Sequence, residues 1–163
     1  MSIDLQQAIK NSLQTEKNAM NFYQVAAAYL QDAAAKKVFE ILAREEREHA
    51  GHFYKLYTGT DLPSLEAFLD APIDSDSSWT AALEKTLSAD ANEKAALELA
   101  LDKEKKLEEA LRETAAKITD PAIKEIYELN AKETANHYAV IEAEYARIMG
   151  MIAESDQDTF VRE

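Results

Sequence analysis

Cysteine is absent from this chain. Its absence excludes disulfides, an iron–sulfur cluster, a thiolate zinc site and a thiol nucleophile. Glycine and proline are scarce, three of each in 163 residues. Sharp turns are therefore few, and long helices are favoured over a sheet. No run approaches the ~20 apolar residues that a membrane-spanning helix needs. The opening MSIDLQQAIKNS has neither the basic start nor the apolar stretch of a secretory signal. Positive charge is also short: 18 Lys and Arg against 31 Asp and Glu leave a net charge of −13. Such a surface repels nucleic acid and anionic lipid, so neither is expected as a partner, and it attracts cations. A soluble, cytoplasmic protein is the expectation.

What is abundant is Ala, Glu, Leu and Lys, all good helix formers. Shifted by 88 positions, the chain lies on itself without a gap. Glu16 meets Glu104, Asp32 meets Asp120, Glu45 meets Glu133 and His49 meets His137. The chain therefore reads as two related helical hairpins. Asp32 and Asp120 are N-caps at the hairpin turns, and Pro121 suits a first helical position. The expected helices run from about Ile3 to Gln31, Ala33 to Tyr57, Asn92 to Thr119 and Pro121 to Glu154. One bundle domain over 1–154 contains a crossover at 58–91, and a polar tail follows at 155–163. Gly59, Pro63 and Pro72 break any long helix in the crossover. Leu65, Phe68 and Leu69 mark a short amphipathic helix there, and Ser78 is the expected cap of a further helix from Trp79 to Leu87. The fold class is thus all-α, two antiparallel hairpins joined by a long crossover.

The core-facing seam of each helix is apolar except near its middle. The first seam reads Ile9, Leu13, Glu16, Met20, Tyr23; the second reads Phe39, Leu42, Glu46, His49, Phe53. The third reads Leu97, Leu101, Glu104, Glu108, Leu111; the fourth reads Tyr127, Asn130, Thr134, His137, Ile141. Burying unpaired carboxylates is strongly unfavourable, and several at one depth are tolerated if a cation compensates them. Glu16 stands 16 residues before Asp32, and Glu46 and His49 stand 14 and 17 after it. The second hairpin repeats this for Glu104, Asp120 and His137. At about 1.5 Å per residue these paths match within a turn, so the five side chains are expected at one level. Carboxylates with imidazoles suit iron or manganese.

The stretches Glu16-Lys-Asn-Ala-Met-Asn-Phe-Tyr23 and Leu42-Ala-Arg-Glu-Glu46-Arg-Glu-His49 resemble the first hairpin of rubrerythrins and their ferritin-like relatives. The resemblance covers nearly the whole chain apart from linker and tail. It implies a ferritin-like four-helix bundle with one Glu on the first and third helices and Glu-x-x-His on the second and fourth. It further implies two iron ions held by Glu16, Glu46, His49, Glu104 and His137, with manganese or a mixed, partly filled site as the alternative. The implied activity is reduction of peroxide or dioxygen with an external electron donor, and the implied assembly is a homodimer.

Two features depart from the family pattern. Thr134 stands where the second Glu-x-x-His needs its Glu, and the cysteine-bearing rubredoxin module of full rubrerythrins is not in these 163 residues. Glu108, on the same seam as Glu104, is a candidate sixth ligand, with Glu133 as a second candidate pointing off-axis; otherwise the two ions are held unequally. His52 is read as a rim residue, and Asn130 as orienting a ligand or holding water. Tyr23, Tyr54, Tyr127 and Tyr138 are read as core residues with wet hydroxyls, a redox role being the alternative. Two other functions stay open: iron handling such as ferroxidase, storage or delivery, and a degenerate-site bundle that serves as a structural or interaction module.

Overall fold

A computed structural model of the protein describes residues 3–88 and 92–161, with side chains over 3–85 and 92–151. Among the described residues there are six helices and no strand: α1 (Leu5–Tyr29), α2 (Ala33–Leu56), α3 (Leu65–Asp70), α4 (Ser78–Ser88), α5 (Glu93–Ala116) and α6 (Pro121–Val161). No described helix is long and apolar enough to cross a membrane.

Short polar side chains start each helix by accepting from the orphan N–H groups of its first turn. Asp4 accepts from Gln7 N at 3.1 Å, Asp32 from Ala35 N at 2.9 Å and Asn92 from Ala95 N at 2.8 Å. Asp120 accepts from Ala122 and Ile123 N at 2.9 and 3.2 Å. At α4 the capping hydroxyl is that of Ser77, which accepts from Thr80 N at 3.0 Å. Ser78, expected as this cap, is instead the first residue of the helix. The last helix also runs beyond the expected Glu154 to Val161. After Gly150 the sequence offers no Gly or Pro to stop it. Residues 89–91, at the end of the expected crossover, and 162–163, in the expected tail, lie outside the described residues.

α1 pairs with α2, and α5 with α6. The two hairpins lie head to tail. The α1–α2 turn sits beside the start of α5, where Glu93 Oε1 accepts from Gln31 N and Asp32 N at 2.7 and 2.9 Å. Arg147 of α6 reaches the same turn at Asp32, 2.5 Å away. At the opposite end Lys10 meets Asp61 at 2.5 Å, and Thr58 N donates to Gln6 at 2.8 Å. The chain leaves α2 at one end and enters α5 at the other, so the crossover spans the bundle's length. Its helix α4 packs on α1 and α5. Trp79 sits 5.4 Å from the Phe22 ring and 6.0 Å from the Tyr23 ring, with Phe39 5.1 Å beyond Tyr23.

The seams read from the sequence form the core. Ile9, Leu13, Met20, Tyr23, Phe39, Leu42, Phe53, Leu97, Leu111, Tyr127 and Ile141 are all buried. Leu101, expected on the third seam, is half-buried. Buried aromatic layers flank the bundle's middle, Tyr23 and Phe39 on one side and Phe53 with Tyr127, 4.9 Å apart, on the other.

Candidate metal centre

Between those layers four helices deliver Glu16, Glu46, Glu104, His49 and His137. The three carboxylates have no exposed surface, and the imidazoles have 2% and 4%. His49 Nδ1 lies 3.6 Å from Glu46 Oε2 and 3.7 Å from Glu16 Oε2. His137 Nδ1 lies 2.9 Å from Glu46 Oε1 and 3.8 Å from Glu104 Oε1. The two rings are stacked, 5.2 Å apart and 10° from parallel. Glu46 is the hinge of the group, one oxygen toward each imidazole, with Glu16 on one flank and Glu104 on the other.

The five residues leave seven buried atoms without an aligned hydrogen-bond partner. They are both oxygens of Glu16, both of Glu46, Glu104 Oε2 and the two Nδ1 atoms. Among the described residues, no other buried side-chain oxygen or nitrogen is in that condition. Folded proteins satisfy the great majority of buried polar atoms, so seven orphans converging on one point call for a positive charge. Ligand atoms of Glu46, His49 and His137 lie within 4.8 Å of one another. Oxygen and imidazole donors without sulfur suit divalent iron or manganese. The residues present therefore fit such an ion.

The outer edges of the imidazoles are held by carboxylates that the seam does not contain. His49 Nε2 lies 2.5 Å from Glu133 Oε2, and His137 Nε2 lies 2.6 Å from Glu45 Oε2. Each ring is thus held by an acid from the opposite hairpin. A carboxylate at Nε2 places the ring proton there and leaves Nδ1 free as a ligand. Glu133 is in this way brought to the site as a partner of His49. Glu45 was missed by the seam reading, yet it is the 88-residue mate of Glu133, and that pairing was the signal for it.

Glu108 is not brought into the group; it is half-buried, and its Oε2 pairs with Arg112 Nε at 2.7 Å, one turn along α5. Thr134 is fully buried at the level of the group, and its hydroxyl donates to Asn130 O at 2.7 Å. Asn130 turns its amide N–H to Ile126 O and its carbonyl toward His52 Nδ1, 3.3 Å away, so its hydrogen bonds go to none of the five. Tyr23 OH donates to Glu104 Oε1 at 2.6 Å. Tyr127 OH pairs with Ser12 at 2.7 Å, and Tyr54 OH donates to Pro63 O.

Without a cation, protons supply the missing positive charge. Burial opposes ionisation of His49 and His137, but the acids around them outweigh it and hold the imidazoles up at about 11 and about 10. Burial and the charge of Glu46 raise Glu104 to about 7 and push Glu16 well above its usual range. Burial also opposes ionisation of Glu46, yet Glu16 and the two imidazoles outweigh it and lower this carboxyl well below its normal value. The stability consequence has a definite sign. Raised imidazoles contribute fully below their ordinary 6.5, and the contribution is lost as pH rises through about 10 to 11. Glu16 and Glu104, also raised, act in the same direction from 4.5 upward, and of the five only Glu46 opposes them in acid. Chelated protein should therefore melt several degrees lower at about pH 9 than at about pH 6. Thermal denaturation followed by circular dichroism checks this. A flat or rising profile would show that the imidazoles are not charged in the metal-free state.

A four-helix bundle whose middle carries buried carboxylates and imidazoles from all four long helices is a ferritin-like protein. The family model Rubrerythrin matches residues 7–145, and the chain belongs to that family. Among curated proteins and among solved structures nothing matches it.

Proposed function

We propose that the protein is a two-metal carboxylate oxidoreductase of the rubrerythrin type, reducing peroxide or dioxygen with electrons from an external donor. The observation that carries this is the set of seven unpartnered buried atoms on Glu16, Glu46, His49, Glu104 and His137. Family membership supports iron as the metal. Glu16, Glu46, His49, Glu104 and His137 would hold a ferrous pair, which would supply the two electrons that, with two protons, convert one peroxide into two waters. The chain's own residues prepare that chemistry. Glu45 and Glu133 orient the imidazoles, and Tyr23 holds one oxygen of Glu104. Glu46 stands between the two halves, where one carboxylate can serve two cations. Thr134 removes a sixth donor, so the Glu104–His137 half is the poorer one. The reading takes the chain as a homodimer.

Iron handling is the second reading, favoured by the acidic residues Glu45, Glu48 and Glu133 around the outer edges of the imidazoles. One experiment separates the two. Protein loaded anaerobically with two ferrous ions per chain is mixed with hydrogen peroxide and, separately, with dioxygen. The enzyme reading expects oxidation at least roughly tenfold faster than that of free ferrous iron, and repeated turnover when a chemical reductant is present. Oxidation no faster than in buffer rejects it. Ferric iron accumulating beyond two per chain, without turnover, selects iron handling.

A further inference from the structure

The gap between α1 and α5 is covered by α4 at one level and open at another. Where Tyr23 meets Glu104, the crossover helix α4 seals it: Trp79 packs on Phe22 and Tyr23, and Lys103 Nζ lies 6.0 Å from the Trp79 ring centre. Past that seal the helices part. Ala8, Ser12 and Thr15 on α1 and Ala110 and Thr114 on α5, together with Asn11, Leu107 and Leu111, line a groove of about 210 Å³. Its outer wall is exposed at Ala110 and half-buried at Ser12, Thr15 and Thr114, while Glu16, which also lines it, is fully buried. Glu16 thus lies at the inner end of the groove, beside the buried Leu107 and Leu111, and both its oxygens lack a hydrogen-bond partner.

The bundle has a second opening on its opposite side, between α2 and α6. That one is lined by Glu45, Glu48, Glu133 and the two imidazoles. The carboxylate–imidazole contacts at 2.5 and 2.6 Å lie across it. The two mouths therefore differ in chemistry: the α2–α6 mouth is acidic and crossed by ion pairs, whereas the α1–α5 groove has no charged side chain except Glu16 at its depth. A volume of about 210 Å³ holds several molecules of water size, at about 30 Å³ each. Hydroxyls sit along its wall. Ser12 donates to Ala8 O at 3.0 Å and so accepts from Tyr127 OH at 2.7 Å, leaving its second lone pair for a guest.

We infer that the α1–α5 groove is the path and holding site for the oxidant, a small neutral hydrogen-bonding molecule of hydrogen peroxide size, which reaches the centre on the Glu16 side. This rests on the two-metal reading above and adds to it a route, a size limit and a side of approach.

The test fills each mouth in turn. Ala110→Phe and, separately, Thr15→Phe fill the groove; Val140→Phe narrows the opposite mouth. Metal binding is measured first, by anaerobic titration with ferrous iron. If the unaltered protein binds none, the two-metal reading fails before the groove is tested. With binding equal in all four proteins, either groove variant should slow oxidation by hydrogen peroxide roughly tenfold or more, and Val140→Phe should leave it within about twofold. A readout independent of turnover is the water-proton relaxation of the manganese-loaded protein, which should fall in the groove variants and not in Val140→Phe. Slowing by Val140→Phe alone, or by none of the three, overturns the inference.

Discussion

Glu46→Ala is expected to abolish transition-metal retention, weakening it by at least about 100-fold, since losing even a partner of a ligand costs 10–100-fold. Glu46 alone presents an oxygen to each imidazole, 3.6 Å from His49 and 2.9 Å from His137. Its removal breaks both halves of the centre together, whereas losing Glu16 or Glu104 breaks one. Metal analysis after growth in iron-supplemented medium, and anaerobic titration of the purified variant, read the effect. Retention of near-stoichiometric metal would overturn the assignment of the centre. A second signature appears without metal. The imidazoles lose the acid they share, so their values fall back toward 6.5, and the loss of stability on going from pH 6 to pH 9 should shrink.

The largest opposite effect is expected from Thr134→Glu. Thr134 is fully buried one turn before His137 and is the repeat mate of Glu46. Its hydroxyl satisfies only the carbonyl of Asn130, within its own helix. A carboxylate there adds an anion to a group that already keeps Glu16 and Glu104 protonated above their normal range. The metal-free variant should lose about 1–3 kcal/mol, or about 2–4 °C in melting temperature for each kcal/mol at this size. Two divalent ions should more than restore it, because the sixth oxygen completes the poorer half. Titration should change from one tight and one weak ion to two tight ions. A metal-free variant as stable as the parent, with unchanged stoichiometry, would place residue 134 away from the ions.

Much of this was legible in the sequence, for physical reasons that differ between elements. The four long helices follow from the scarcity of Gly and Pro and from the caps Asp32 and Asp120, all local effects. The level of Glu16, Glu46, His49, Glu104 and His137 follows from helical rise counted outward and back through each turn, and all five are brought together. The start of α4 was displaced by one residue because Ser77 and Ser78 are equivalent in sequence, and only the chain's direction into the helix chooses between them. Glu108 shared a seam with Glu104, but a half-buried glutamate one turn from an arginine is satisfied locally, 2.7 Å from Arg112.

The sequence by itself determined that acids and imidazoles meet at one buried depth, because periodicity and turn position set both the face and the height of a side chain. Tertiary structure alone decided which acid holds which ring. Glu133 reaches His49 across 84 residues of chain, and Glu45 reaches His137 in the same manner. Such pairings depend on how far apart two helices stand and on rotamers chosen by the neighbours, which no period along one strand of sequence contains. The groove beside Glu16 is of the same kind: it lies where α1 and α5 face each other beyond the reach of the crossover helix.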